Sequence, residues 1–287
     1  MIDSTNYLSK GFLTFALNTP GSKIDYVKIA YLQALSIKHT QKHNQFAIAV
    51  EDSKEIPDKY KEVFDYVIDV PWGIDSVHEV WKLSDEWKSI YITPFDMTFK
   101  LDSDMLFFDD LSDWWYNASH QDLCPTINVR DYRLKKSSDL SYRPEVKLKN
   151  LPLFYSALFY FRKSTVAFQL FEVVEEIYKN WEEYNKIFFE GCRFTQATTD
   201  VVFALASDIL DISYANTTPT FVHMKKNIQN LQQFKIEEDW TKSLKYYFDS
   251  NMNLFVENYK QTIPFHYNIK SFATDQLIAK YEKVLGI

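Results

Sequence analysis

Asp102 and Asp104 are the residues of this sequence with the clearest chemical potential. They stand two apart in Lys100-Leu-Asp102-Ser-Asp104-Met-Leu, at the end of an alternating run that begins at Met97. In an extended chain residues i and i+2 share a side, so the run puts Met97, Phe99 and Leu101 on one face and Thr98, Lys100, Asp102 and Asp104 on the other. Neighbouring carboxylates repel, and taking them out of water is costly unless a cation lies close by. Oxygen ligands of this kind suit Mg²⁺ or Mn²⁺, ions that commonly bridge to substrate phosphates. The tripeptide by itself also fits a solvated acidic turn, so its surroundings must decide.

Composition narrows the chemistry. Among 287 residues there are only five glycines, Gly11, Gly21, Gly73, Gly191 and Gly286, so neither a Walker loop nor a G-x-G-x-x-G motif can be written. Any phosphate must therefore be held by side chains, a metal or a helix end. Two cysteines, Cys124 and Cys192, make neither a disulfide framework nor a Cys-rich zinc site. The first ten residues are polar and the apolar stretch after them is short, and no run is long enough to span a bilayer. The expectation is a cytoplasmic protein without a membrane partner, in which the Asn117-Ala-Ser and Asn216-Thr-Thr sequons carry no glycan. A net charge of −7 argues against a generally basic nucleic-acid binder.

The elements that must position the acids follow from periodicity. Phe12–Leu17 reads as a first strand, followed by a turn at residues 18–22 and a helix from about Asp25. Phe46–Val50 and Tyr66–Val70 are short apolar runs with polar ends. Leu83, Trp87, Ile90 and Tyr91 mark a helix that Pro94 stops. Phe154–Arg162 is an aromatic strand, and the stripe from Ala167 to Trp181 makes a helix opened by Ser164 or Thr165. A shorter helix starts near Thr199, with Thr199 as its cap and Asp200 in its first turn. Strand alternating with helix predicts an α/β fold with a mostly parallel central sheet and helices on both faces, and no linker divides residues 1–287 into domains. The acidic pair then falls at the carboxyl edge of the sheet, where such folds bind ligands.

The stretch from Asp102 to Leu106, followed by Asp109-Asp110-Leu111, resembles the DxD element of GT-A-fold glycosyltransferases. The match is to nucleotide-sugar transferases of glycosyltransferase family 8 and, more loosely, to transferases carried by tailed phages, which would place the chain in the host-cell cytoplasm. The resemblance implies a metal, Mn²⁺ or Mg²⁺, held by Asp102 and Asp104, and a nucleotide-sugar donor, a UDP-sugar being favoured. It also implies donor contacts from Asn18, Thr19, Tyr26 and Lys100, and retention of anomeric configuration. In these transferases a late His followed by an aromatic completes the metal site, with a Lys soon after. Phe265-His266-Tyr267-Asn-Ile-Lys270 supplies that pattern with a shortened gap; Phe221-Val-His223-Met-Lys225 is the second choice. His266 is taken as the ligand and Lys270 as a donor to the diphosphate. The family's Asn-Ser-Gly strand is Tyr155-Ser156-Ala157 here, and of its Asp-Gln helix start only Asp200 is kept. Asp200 is the candidate for stabilising charge at the anomeric carbon or orienting the acceptor; it would equally complement a helix dipole.

Residues 128–150 carry seven basic side chains (Arg130, Arg133, Lys135, Lys136, Arg143, Lys147 and Lys149) against three acidic ones. Without periodicity they read as a long basic loop, either a solvated surface or a contact to phosphate, so DNA is a conceivable acceptor partner. A glycan remains another, and the acceptor is otherwise unknown. Two other functions compete: a sugar nucleotidyltransferase, which usually needs a glycine-rich loop, and a non-catalytic nucleotide- or sugar-binding α/β protein.

Overall fold

Alternation along the strands divides the core between two faces of one sheet. Phe12, Phe46, Ile48, Phe99, Leu158 and Tyr160 pack into one cluster, while Leu13, Ala47, Ala49, Phe159 and Phe161 pack on the other side. The computed structural model describes residues 8–19, 21–76, 79, 84–137, 144–190, 197–214, 219–225 and 239–287. The sheet is built from β1 (Lys10–Phe15), β2 (Gln45–Val50), β3 (Tyr66–Asp69), β4 (Met97–Leu101), β6 (Leu123–Thr126) and β7 (Tyr155–Arg162), in the order β3-β2-β1-β4-β7-β6. Strands β3, β2, β1 and β4 run parallel, and β7 is antiparallel to both of its neighbours. The expected mostly parallel α/β sheet with helices on both faces is the architecture found.

Helix α1 (Tyr26–Thr40) follows β1, and the short α2 (Asp58–Lys61) precedes β3. The N-cap of α1, Asp25, accepts from the Lys28 amide, which explains the helix start. In place of one helix around Leu83–Tyr91 there are a single 3₁₀ turn, Glu86–Lys88, and the four-residue α3 (Ser89–Ile92); Leu83 lies outside the described residues. The stop before Pro94 is as the ring's geometry requires. Helix α4 (Ser112–Ala118) packs Trp115 under the sheet, and α5 (Pro144–Lys149) interrupts what reads in sequence as a loop. Helix α6 (Thr165–Lys179), capped by Ser164, is followed by α7 (Trp181–Phe188), α8 (Thr199–Ile209) and the C-terminal α9 (Asp275–Leu285). Helices α1 and α9 cover one face of the sheet, α6 and α8 the other.

A second, three-stranded sheet joins β5 (Met105–Leu106), β8 (Val222–His223) and β12 (Phe265–His266) in the order β5-β12-β8. The remaining strands, β9 (Tyr246–Phe248), β10 (Leu254–Val256) and β11 (Tyr259–Lys260), form an antiparallel meander. Several strand boundaries shift from expectation: β1 runs Lys10–Phe15 in place of Phe12–Leu17, β2 begins and β3 ends one residue earlier, β7 begins one residue later, and β4 ends at Leu101. Among the described residues no helix is long and apolar enough to cross a membrane.

Candidate metal and donor site

Because β4 ends at Leu101, Asp102 and Asp104 are carried on a turn and not on the strand, which corrects the alternation-based placement. The turn is pinned from several directions. The Asp102 amide donates to the Ala157 carbonyl at 2.8 Å, extending the pairing with β7 by one residue. The Gln33 side chain, from the buried face of α1, donates to the Asp102 carbonyl at 2.7 Å. On the far side the Asp104 carbonyl accepts from the Tyr267 amide at 3.1 Å, and the chain continues into β5. Ser36 and Gln41, also from α1, hold the amides of Phe107 and Leu111. Gln33 and Gln41 carry no chemical motif, but their amides interrupt an apolar helix face, and that interruption is the signal that could have found them.

The small sheet delivers the histidine. Met105 of β5 is the register partner of His266 in β12, and His266 is in turn the partner of His223 in β8. His266 Nε2 thereby lies 3.2 Å from Asp104 Oδ2 and 3.8 Å from Asp102 Oδ2. The ligand atoms of Asp102, Asp104 and His266 all fall within 4.8 Å of one another. His223 sits one strand away, its ring centroid 4.9 Å from that of His266, and its Nδ1 accepts from the Lys225 amide at 3.2 Å. Two carboxylate oxygens and an imidazole nitrogen, one acid almost wholly buried, are a donor set that fits a divalent cation.

Cationic side chains neutralise the acids. Lys270 Nζ lies 2.6 Å from Asp104 Oδ2 and 5.6 Å from the centre of the Tyr26 ring. Burial alone would raise the Asp104 carboxyl, but the charges of His266 and Lys270 outweigh it and hold the group well below the usual carboxylate range. Lys270 is itself raised: burial would lower it, and Asp104 more than offsets that. Burial raises the Tyr26 hydroxyl, with Lys270 opposing the shift. Tyr26 is placed by Asn18, whose Oδ1 accepts from the Tyr26 amide at 2.7 Å. Asn18 and Thr19 follow β1 at the same carboxyl edge as the acidic turn, because β1 and β4 run parallel.

Lys100, the expected donor contact, is buried beside the acidic turn. It is only 1% exposed, and its ammonium lies 2.6 Å from Glu86 Oε1, 3.1 Å from Asp102 Oδ1 and 3.4 Å from the Ser156 carbonyl. Burial and the Asp102 charge push the Glu86 carboxyl up to about 7, against the pull of Lys100. Glu86 has no sequence signature, since its partner stands fourteen residues away on another element.

Asp200 lies in the first turn of α8. The position ahead of that helix is occupied by Thr198, not Thr199, and its side chain makes no capping bond. Asp200 Oδ1 instead accepts from both the amide and the hydroxyl of Ser156, each at 2.6 Å. Ser156 is the second residue of β7, which enters the sheet from the carboxyl edge, so Asp200 faces the same edge as Asp102. The basic stretch is partly spent internally. Arg133 pairs with Asp131, and Arg130 donates to the Leu134 carbonyl at 2.8 Å. Lys135, Lys136, Lys147 and Lys149 are exposed, and Arg143 is outside the described residues.

No protein-family model matches the chain, and no curated protein matches it. Among solved structures the chain is similar to the glycosyltransferase GlyE of Streptococcus pneumoniae TIGR4, at 9% identity over 97% of this chain and 64% of that one, with a TM-score of 0.48. It is also similar to the galactosyltransferase LgtC in complex with donor and acceptor sugar analogues, at 13% identity over 67% of this chain and 68% of that one, with a TM-score of 0.42. Mouse xyloside xylosyltransferase 1 in its apo form gives 13% identity over 70% and 82% of the two chains, with a TM-score of 0.44. The chain thus spans less than two thirds of the length of GlyE. At TM-scores below 0.5 none of these likenesses bears on the chemistry, which rests on the site itself.

Proposed function

We propose that the chain is a metal-dependent glycosyltransferase of GT-A type that transfers a sugar from a nucleoside-diphosphate sugar, a UDP-sugar being the first to try. The observation that carries this reading is the convergence of Asp102, Asp104 and His266, with Lys270 against them, at the carboxyl edge of a mostly parallel sheet. Asp102 Oδ2, Asp104 Oδ2 and His266 Nε2 would hold Mn²⁺ or Mg²⁺. Such an ion, when bound, neutralises charge that builds on a departing diphosphate.

The residues of the chain supply the rest. Lys270 donates to a phosphate oxygen once it turns from Asp104, and Tyr26 and Asn18 bound the donor beside it. The bond that breaks joins the anomeric carbon to the diphosphate oxygen, which takes the electron pair; the acceptor oxygen bonds to the anomeric carbon and its proton passes to the departing diphosphate. Asp200, held by two hydrogen bonds from Ser156, orients the acceptor hydroxyl or stabilises positive charge at the anomeric carbon. Retention of configuration is part of the proposal and is read from the anomeric proton of the product.

The test is sugar-nucleotide turnover, hydrolytic or to an acceptor panel, with Mn²⁺ and Mg²⁺. The proposal expects turnover that chelation abolishes and that Asp102→Ala and Asp104→Ala each reduce by roughly a hundredfold or more, as loss of a principal electrostatic stabiliser does. Turnover indifferent to both substitutions would overturn it.

A further inference from the structure

We propose that Lys100 is a positioning residue: with Glu86 as its buried counter-ion, it fixes Asp102 so that Oδ2 alone is presented to the cation. The inference rests on the metal-site reading above and assigns that site a support outside its ligands. Lys100 projects from β4 to the side of the sheet opposite Phe99 and Leu101, and an ammonium has three protons to give. Its three near acceptors are Glu86 Oε1, Asp102 Oδ1 and the Ser156 carbonyl. Asp102 is then held at three atoms: its amide by Ala157, its carbonyl by Gln33, and Oδ1 by Lys100. Oδ2 is the atom left to face His266.

The arrangement also joins both halves of the site. Ser156 offers its carbonyl to Lys100 while its amide and hydroxyl hold Asp200. One buried ammonium therefore touches the acid on the donor side and the peptide that seats the acid on the other side. Stability is a weak reason for the pair, because a buried ion pair is commonly replaced by apolar residues of similar volume at no loss. Fixing the orientation of a metal ligand is a stronger one, since partners behind such ligands commonly set affinity.

The experiment titrates Mn²⁺ alone into the wild-type chain, Lys100→Met and the double variant Glu86→Leu/Lys100→Met, with calorimetry and the EPR spectrum of the bound ion as readouts and thermal unfolding alongside. Lys100→Met leaves Glu86 buried without a partner and is expected to melt lower; the double variant removes both charges and is expected to melt near the wild type. Mn²⁺ affinity is expected to fall roughly 10- to 100-fold in the double variant, which leaves the local charge balance unchanged, with an altered EPR spectrum. A folded double variant that binds Mn²⁺ within threefold of the wild type overturns the role of Lys100 and leaves the metal site standing. A double variant that does not fold assigns the pair to stability and overturns it too. A wild-type chain with no Mn²⁺ affinity takes down the metal-site reading and this inference together.

Discussion

His266 Nε2 and Asp104 Oδ2 lie 3.2 Å apart because the residue after Asp104 is the register partner of His266 in a short antiparallel pair. Residues separated by more than 160 positions are thus brought together by a pairing two residues long on each strand and the Tyr267 amide bond to the Asp104 carbonyl. His223 is one strand farther from the acids. His266→Ala should weaken Mn²⁺ binding by roughly tenfold or more, and His223→Ala by less than about threefold, as judged against the usual effect of disturbing a metal site. Calorimetric Mn²⁺ titration of the two variants checks the difference; equal losses would contradict it.

Lys270 occupies the position from which a cation would neutralise Asp104. Lys270→Gln should therefore act in opposite directions on two ligands. Mn²⁺ alone should bind more tightly, since a competing charge is gone, while a nucleoside diphosphate with Mn²⁺ should bind roughly tenfold more weakly, the equivalent of one charge-assisted hydrogen bond. Parallel titrations with and without UDP read both signs.

Ser156 and Asp200 offer a separation of positioning from chemistry. Ser156→Ala removes one of the two hydrogen bonds that Ser156 makes to the Asp200 carboxylate and should lower kcat roughly tenfold, in line with a bond to a charged group. Asp200→Asn keeps the size of the group and should lower kcat by roughly a hundredfold or more, with the donor Kd little changed. Steady-state kinetics beside donor titration distinguish the two; a loss confined to donor affinity would contradict the assignment of Asp200.

Much of this architecture is legible in the order of residues. The alternation in Phe12-Leu13, Phe46-Ala47-Ile48-Ala49 and Leu158-Phe159-Tyr160-Phe161 places the strands and both faces of the core, because side-chain direction has a period of two. The acidic pair, Lys270 and the two histidines were legible as types. The preference for His266 over His223 comes from the aromatic and the lysine that follow it; what sequence does not carry is that both stand in one small sheet and differ in distance from β5. Periodicity also misplaced the acids on β4, because a turn that keeps one more ladder bond to β7 mimics a strand for two residues. Glu86 was invisible, because it acts through a contact between elements that local pattern does not record, and Gln33 left only a polar interruption in the buried face of α1. The basic stretch from 128 to 150 hid α5, whose exposed lysines blur the apolar stripe that would mark a helix.

Glu86 gives a pH signature. Its carboxyl is pushed up from 4.5 to about 7 by burial, so between these values the folded chain takes up a proton there that the unfolded chain has released, and the charged pair with Lys100 is complete only above about 7. The stabilisation from that proton is complete below about pH 4.5 and is lost as pH rises through 7. Urea unfolding at stepped pH should show wild-type stability declining relative to Glu86→Gln across this window. A difference that is flat, or that grows with pH, would contradict the placement of Glu86.

The central claim is that one dication is held by Asp102, Asp104 and His266. Crystals soaked with MnCl₂ and UDP, measured at the manganese absorption edge, test it most directly. A single strong anomalous peak is expected about 2 Å from Asp102 Oδ2, Asp104 Oδ2 and His266 Nε2, in contact with the diphosphate. A peak elsewhere, or UDP bound at this edge with no peak beside the acids, would contradict it.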